Sequence, residues 1–253
     1  MAGEMRAVRQ SSRDGGEAAR GELLVATEIT AGYDGPPVLD RTSVEVVPGR
    51  TSVVLGPNGA GKSTLAKAII GLLPPTSGSV VLRGEDVTGT PPHRLVRQGL
   101  AYLPQLLNIF DQLTVLENLL MGGFTFRGRL SDRISEVLSL FPDLASERGK
   151  KAGQLSGGQQ RMLALARLLM TDPLVAVLDE PTAGLSPLYA ERVWAQLDGM
   201  RDRGIGLLVI EQNAKIAMAH ADTAFLLAQG RNVLSGPARD LAGRPEVAAI
   251  LVG

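Results

Sequence analysis

The chain has 253 residues, of which 44% are hydrophobic, so it is long enough to bury a substantial core in one large domain or two small ones. Its 26 Lys and Arg residues balance its 26 Asp and Glu residues, which excludes a strong overall basic field of the kind that attracts nucleic acid or anionic lipid. The lack of cysteine excludes disulfides and thiolate metal sites and is typical of a reducing compartment.

The N-terminal segment, residues 1–22, mixes arginines and acidic residues with Gly, Ser and Ala, and it contains no apolar block that resembles a signal peptide. Such a composition predicts a disordered leader, followed by one domain over 23–253. The longest apolar runs, 174–178 and 206–210, stop at Asp179 and Glu211, far short of the roughly 18 apolar residues that cross a bilayer. We therefore expect no membrane-spanning helix.

From residue 23 onward, strand-like and helix-like patterns alternate. The predicted elements are strands over 23–30, 43–47 and 51–55, a helix from 62, strands over 80–82 and 100–103, a helical stretch over 114–140, a helix over 157–170, a strand over 174–178, a helix over 187–200, and strands over 207–210 and 225–228. This alternation predicts an α/β fold in which helices cover a parallel sheet. The helical stretch over 114–140 has the pattern of an inserted subdomain.

The strongest local signal is a complete G-x-x-x-x-G-K-S motif between the strand 51–55 and the next helix. Its residues are Gly56, Pro57, Asn58, Gly59, Ala60, Gly61, Lys62 and Ser63, and we assign Thr64 to the same site. In such a loop, backbone N–H groups converge on phosphate oxygens, Lys62 reaches the outer phosphates and Ser63 offers its hydroxyl to Mg²⁺. A glycine-rich turn that only caps a helix does not need Lys and Ser in this register. The motif leaves the choice between ATP and GTP open.

Two acids, Asp179 and Glu180, follow the apolar run over 174–178. A continuously apolar strand is buried on both faces, and its carboxyl end opens on the sheet edge where α/β folds bind ligands. Taken alone, an Asp-Glu pair at this point is often just a capping turn, but the phosphate loop in the same chain favours a catalytic pair. We expect Asp179 to hold Mg²⁺ through its water shell and Glu180 to act as general base toward the attacking water.

A second glycine-rich segment, L-S-G-G-Q over 155–159, resembles the signature of the ABC ATPases and lies at the start of the predicted helix 157–170. The residues assigned to it are Ser156, Gly157, Gly158 and Gln159. A serine with two backbone N–H groups at a helix start forms a second anion site, and its role as a helix N-cap is compatible with that. From about residue 23 to its end, the chain is similar to ABC nucleotide-binding subunits, with every main motif in the usual order.

The resemblance implies a P-loop NTPase core with a parallel sheet, an N-terminal antiparallel β region and a helical insert subdomain at about 106–153. It also implies that two subunits pair head to tail, so that the signature of one closes over the ATP held by the other. The second ATPase subunit is either an identical chain or a sister chain. The implied partners are membrane permease subunits and, indirectly, an extracytoplasmic binding protein, with the chain peripheral on the cytoplasmic face of the membrane.

Further site residues follow from the same resemblance. Tyr33 matches the aromatic residue that stacks on adenine, and Gln105 matches the glutamine that senses Mg²⁺ and the attacking water and joins the core to the insert. The loop over 183–186 crosses the dimer interface in the family, although Ser186 stands where an Asp is common. Gln212 replaces the usual histidine near the terminal phosphate. Its amide can donate a hydrogen bond to that phosphate but cannot take up a proton, which leaves base chemistry to Glu180.

The narrower resemblance is to one of the two ATPase subunits of branched-chain (hydrophobic) amino acid importers. It rests on the tracts 106–121, 211–213 and 234–236. Two alternatives stay open. One is an exporter ATPase, which shares every catalytic motif. The other is a soluble ABC ATPase that acts as a mechanical module on nucleic acid or an assembly scaffold; the balanced charge favours no nucleic acid partner.

Overall fold

A computed structural model describes residues 21–106 and 108–252. The predicted leader lies outside the described residues except for its last two positions. The strands are β1 Leu24–Ala31, β2 Leu39–Val46, β3 Thr51–Leu55, β4 Ser77–Leu82, β5 Glu85–Asp86, β6 Leu100–Leu103, β7 Val175–Asp179, β8 Gly206–Ile210, β9 Thr223–Ala228 and β10 Arg231–Pro237. The helices are α1 Lys62–Ile69, α2 Pro92–Arg97, α3 Val115–Gly122, α4 Leu130–Leu140, α5 Pro142–Ser146, α6 Gly157–Leu169, α7 Pro187–Arg201, α8 Ala214–His220, α9 Ala238–Leu241 and α10 Pro245–Val252.

The strands form two sheets. A six-stranded sheet has the order β10-β9-β3-β8-β7-β6, and its neighbours run parallel except for β10, which pairs antiparallel with β9. A four-stranded antiparallel sheet has the order β2-β1-β4-β5. The predicted α/β fold with an N-terminal antiparallel β region is therefore confirmed. Because β3, β6, β7 and β8 are parallel, their carboxyl ends meet at one edge of the larger sheet.

The central strands are almost entirely apolar because both faces of the larger sheet are covered; the exceptions are Thr51 and Ser52 at the start of β3 and Asp179 at the end of β7. Every residue of β3, β7 and β8 is buried. In β7, Ala176 and Leu178 belong to the hydrophobic cluster beneath α6 and α7, whereas Val175 and Val177 belong to the cluster shared with α1 and the antiparallel sheet. The alternation of side chains along a strand thus assigns neighbouring residues to two different cores. The rigid central strands position the loops at their carboxyl ends.

The helical insert lies between β6 and α6 and contains α3, α4 and α5. Thr114 and Glu117 form a capping box that starts α3. The helix ends near two glycines, a 3-10 turn over Gly123–Thr125 follows, and α4 begins only at Leu130. The predicted helical stretch over 114–140 therefore consists of two helices with a turn between them, because glycine lowers helix stability and the chain turns at these positions. No helix of the described residues is long and apolar enough to span a bilayer.

Candidate functional site

The glycine-rich motif forms the loop between β3 and α1, where Gly56 and Gly61 have no room for a side chain. At Gly56 the backbone φ is 158°, and a Cβ atom would lie 2.2 Å from the carbonyl oxygen of Leu227. Gly61 is the left-handed N-cap of α1, with φ 98°, and a Cβ there would lie 2.8 Å from the side chain of Leu39. Larger residues would push the loop away from the sheet. The backbone is therefore free to approach a phosphate closely.

Lys62, the first residue of α1, folds back across this loop. Its Nζ donates hydrogen bonds to the carbonyl oxygens of Gly56 at 2.8 Å and Pro57 at 3.0 Å. Burial lowers the pKa of Lys62, and the nearby carboxylates of Glu180 and Asp179 oppose that effect. A buried ammonium that is satisfied mainly by carbonyl oxygens is well suited to exchange them for phosphate oxygens.

Ser63 and Asp179, which were predicted to serve Mg²⁺, face each other at the sheet edge. Ser63 Oγ donates to Asp179 Oδ1 at 3.1 Å, and Asp179 is 2% exposed. Burial raises the pKa of Asp179, while the hydrogen bond from Ser63 lowers it. The described residues hold no group of three or more His, Cys, Asp or Glu side chains that could bind a metal by themselves. A hydroxyl and one carboxylate fit Mg²⁺, which takes few protein ligands and relies on phosphate oxygens and water.

The three residues predicted to be catalytic meet in one cluster. Gln105 Nε2 donates to Glu180 Oε2 at 2.7 Å, and Gln212 Nε2 donates to Glu180 Oε1 at 2.5 Å. Glu180 itself adopts the left-handed backbone conformation, with φ 49°, and its N–H donates to the carbonyl of Ile210 at 2.9 Å. Such a conformation is uncommon outside glycine and clusters at functional sites. The two amides hold both oxygens of one carboxylate.

Two charged residues around this cluster received no role from the sequence. Arg161, in α6, is buried and directs both terminal nitrogens to the carbonyl of Gln105 at 3.4 Å. Glu211 is buried directly after β8 and accepts hydrogen bonds from Thr182 and from the N–H of Gln212. Burial lowers the pKa of Arg161 and raises that of Glu211. A charge directly before or directly after an apolar run was the signal that could have identified them.

The signature residues begin α6 and stabilise its first turn. The Ser156 hydroxyl accepts from the N–H of Gln159 at 3.3 Å, and the Gln159 side chain accepts from the N–H of Ser156 at 3.0 Å, which completes a capping box. Ser156 and Gly157 are exposed, whereas Gly158 packs against Tyr189 so closely that a Cβ would lie 2.2 Å from the ring. The exposed start of this helix is accessible to a ligand or a second chain.

Tyr33 follows β1 and is 54% exposed. Its hydroxyl accepts a hydrogen bond from Lys67 Nζ at 3.1 Å, and the same nitrogen lies 5.6 Å from the centre of the ring. Because Lys67 belongs to α1, the contact links Tyr33 to the helix that begins at the phosphate loop. An exposed aromatic ring beside that helix has a face available for stacking on a base.

Comparison with known proteins identifies the family. The family model described as "ABC transporter" matches residues 39–183, more than half of the chain. The chain is 41% identical over 221 residues to the probable branched-chain amino acid transport ATP-binding protein LivF of Archaeoglobus fulgidus, covering 87% of this chain and 94% of that protein. It is 31% identical over 235 residues to the lipopolysaccharide export system ATP-binding protein LptB of Escherichia coli K12, covering 91% and 97%.

Solved structures agree with this result. The fold matches the ADP conformation of MJ1267, an ATP-binding cassette of an ABC transporter, with a TM-score of 0.83 and 29% sequence identity over 92% of this chain and 99% of that one. The match therefore includes nearly the whole of both chains. The chain belongs to the ABC transporter family of ATP-binding, ATP-hydrolysing subunits.

Proposed function

We propose that this chain hydrolyses ATP for an importer of branched-chain or related hydrophobic amino acids, whose membrane permeases are separate subunits. The observation that carries the proposal is the glutamine pair on Glu180, in a chain that is 41% identical to LivF. The glutamine pair forms a hydrolytic centre that contains no histidine. The similarity to LivF over 87% of the chain supports import as the direction of transport and branched-chain amino acids as the substrate class. The chain then works on the cytoplasmic face of the membrane, peripheral to its permeases.

ATP binding is assigned to the loop over 56–64 and the residues around it. Lys62 exchanges its two carbonyl partners for the outer phosphates, and the N–H groups at the start of α1 contact the same oxygens. Ser63 and Asp179 would hold Mg²⁺, which would neutralise phosphate charge when bound. Tyr33 stacks on the adenine, since its exposed ring flanks the loop helix.

Hydrolysis is assigned to Glu180 as general base. The water oxygen bonds to the γ-phosphorus as the bond between that phosphorus and the leaving ADP oxygen breaks, and Glu180 accepts the proton from the water. Gln105 and Gln212 orient the carboxylate, because their amides hold its two oxygens at 2.7 Å and 2.5 Å. Neither amide takes up a proton, so both are positioning groups.

The working unit is a pair of ATPase subunits. The exposed start of α6 supports this, since Ser156 and Gly157 satisfy a helix cap and leave the outer face open. We assign this face, with Gln159, to the ATP of a second subunit, which is a sister chain rather than an identical one. Release of the γ-phosphate separates the pair and drives the switch in the permeases. A binding protein outside the membrane delivers the amino acid.

A second candidate is export. It is favoured by the 31% identity to LptB, whose name is that of a lipopolysaccharide export protein, over 91% of this chain. The catalytic centre serves both directions equally, because the direction of transport is a property of the permeases. The identity to LivF is ten percentage points higher, which favours import.

The test is reconstitution with candidate permease subunits and a candidate second ATPase subunit, in vesicles that contain ATP, with a candidate binding protein outside. ATP-dependent entry of radiolabelled leucine, isoleucine or valine supports the proposal, provided that Glu180→Gln abolishes it and Glu191→Gln, on the exposed side of α7, does not. Extraction of a lipid from the membrane without amino acid entry would favour the exporter. An assembly that hydrolyses no ATP would refute both.

A further inference from the structure

Glu211 is a buried carboxylate to which the proposed reaction gives no role. It directly follows Ile210, the last residue of β8, and is 3% exposed. Its Oε1 accepts hydrogen bonds from the N–H of Thr182 at 3.1 Å and from the Thr182 hydroxyl at 2.6 Å. Its Oε2 accepts from the N–H of Gln212 at 3.2 Å. One carboxylate therefore ties together two loops that lie 29 residues apart in the chain.

Both loops border the residue proposed as the base. Thr182 comes two positions after Glu180, and the side chain of Gln212 donates to Glu180 at 2.5 Å. Thr182, Gln212, Glu180 and Glu211 line a common cleft of about 290 Å³. A shift of either loop would therefore change the position of a group that contacts the base or lies beside it.

The hydrogen bonds explain why a charged residue lies here. Burial raises the pKa of Glu211, and the bonds from Thr182 and Gln212 lower it in return. A neutral side chain would avoid the cost of burying a charge. Only a carboxylate, however, offers acceptors on both of its oxygens at once. The pattern of three converging donors is satisfied by Glu and by no neutral residue of the same length.

We propose that Glu211 is a positioning residue for ATP hydrolysis, which holds the loop over 181–186 and the backbone of Gln212 in register around Glu180. The inference rests on the proposed roles of Glu180 and Gln212. Because Glu211 links the two segments, a movement of the 181–186 loop would shift Gln212, whose side-chain amide orients Glu180. None of these hydrogen bonds involves the phosphate loop, so we expect ATP binding to depend on Glu211 far less than hydrolysis does.

Three substitutions test the two links separately. Glu211→Gln keeps an oxygen for Thr182 but turns an NH₂ group toward the N–H of Gln212, so that link breaks. Thr182→Val removes the hydroxyl donor, and Thr182→Ser retains it. The matched control is Glu117→Gln in the insert, since Glu117 likewise accepts from the N–H of Thr114 at 2.7 Å and from its hydroxyl at 2.8 Å, in an exposed capping box.

The variants are compared in the assembled transporter by steady-state ATPase kinetics, with thermal unfolding of the purified chain in parallel. We expect Glu211→Gln and Thr182→Val each to lower kcat by about tenfold or more, as the loss of a buried hydrogen bond predicts, with KM for ATP within about threefold of wild type. Thr182→Ser and Glu117→Gln should retain wild-type kcat. The double variant, Glu211→Gln with Thr182→Val, should lose less than the product of the two single losses, because the two residues act through one contact.

An unchanged kcat in Glu211→Gln would overturn the proposal, and so would a rise in KM at unchanged kcat. Multiplicative losses in the double variant would also overturn it, since they would separate the two residues. If Thr182→Ser, which retains the hydroxyl, lowers kcat as much as Thr182→Val does, the loss reflects the fold of the loop. That result would also count against the proposal. If the wild-type assembly hydrolyses ATP and Glu180→Gln abolishes hydrolysis, the proposed reaction is upheld, whatever the Glu211 variants do. An assembly without hydrolysis refutes the reaction itself.

Discussion

Replacement of Glu180 by glutamine separates ATP binding from ATP hydrolysis. Both oxygens of the native carboxylate accept an amide hydrogen bond, at 2.7 Å from Gln105 and 2.5 Å from Gln212. A glutamine at this position presents one oxygen and one NH₂ group, and each partner amide also carries an oxygen, so at most one of the two bonds is lost. The loss of one buried hydrogen bond lowers the free energy of unfolding by about 1–3 kcal/mol. A typical domain has a free energy of unfolding of about 5–15 kcal/mol, so this loss is small. We therefore expect the variant to fold.

The loss of the proton acceptor is the larger effect on function. General-base catalysis contributes about 100- to 10,000-fold to a rate, and we expect phosphate release to fall by that factor. Lys62 and Ser63 make their hydrogen bonds to groups other than the Glu180 side chain, so we expect ATP to stay bound. Removal of the carboxylate charge near Lys62 should, if anything, favour binding of the phosphates. Single-turnover phosphate release and equilibrium binding of labelled ATP measure the two quantities, with Glu191→Gln as control. Phosphate release at the wild-type rate would remove Glu180 from the role of base.

Three further outcomes follow from the same site. Lys62→Ala should weaken ATP binding by about tenfold or more, since a buried charge-assisted contact is lost, and titration that gives an unchanged affinity would count against the phosphate loop assignment. Gln212→Ala should lower kcat by about tenfold or more with little change in KM, and full activity would mean that Glu180 needs no support from this side. Chelation of Mg²⁺ with EDTA should stop hydrolysis, and added Mg²⁺ should restore it in wild type but poorly in Asp179→Asn; equal recovery in both would exclude Asp179 as a metal ligand.

Much of the site was predictable because its residues lie in short segments of fixed spacing. The phosphate loop needs eight consecutive residues between a strand and a helix, and β3 and α1 lie where this motif implies. Asp179 and Glu180 were identified by the end of an apolar run, and β7 ends at Asp179. These predictions depend on local sequence alone, which one chain is enough to provide.

The remaining features depend on contacts between distant residues. Nothing near Glu211 in the sequence indicates that Thr182 would meet it, and the hydrogen bond from Arg161 to Gln105 spans 56 positions. Strand β10 was also missed, because it pairs along one side only and alternates exposed with half-buried residues, which gives a weak apolar pattern. The short helices α8 and α9 contain too few residues for a helical period to stand out.

The left-handed backbone at Glu180 limits which residues evolution or an experimenter could use there. Side chains that branch at Cβ are strongly disfavoured at φ 49°, so Val, Ile or Thr at this position would strain the turn before any question of chemistry arose. Asn and Asp accept such a conformation more readily than most residues. Glu180→Asp therefore tests how far the carboxylate must extend, and Glu180→Gln tests whether a base is needed. Neither adds the backbone strain that a β-branched residue would cause.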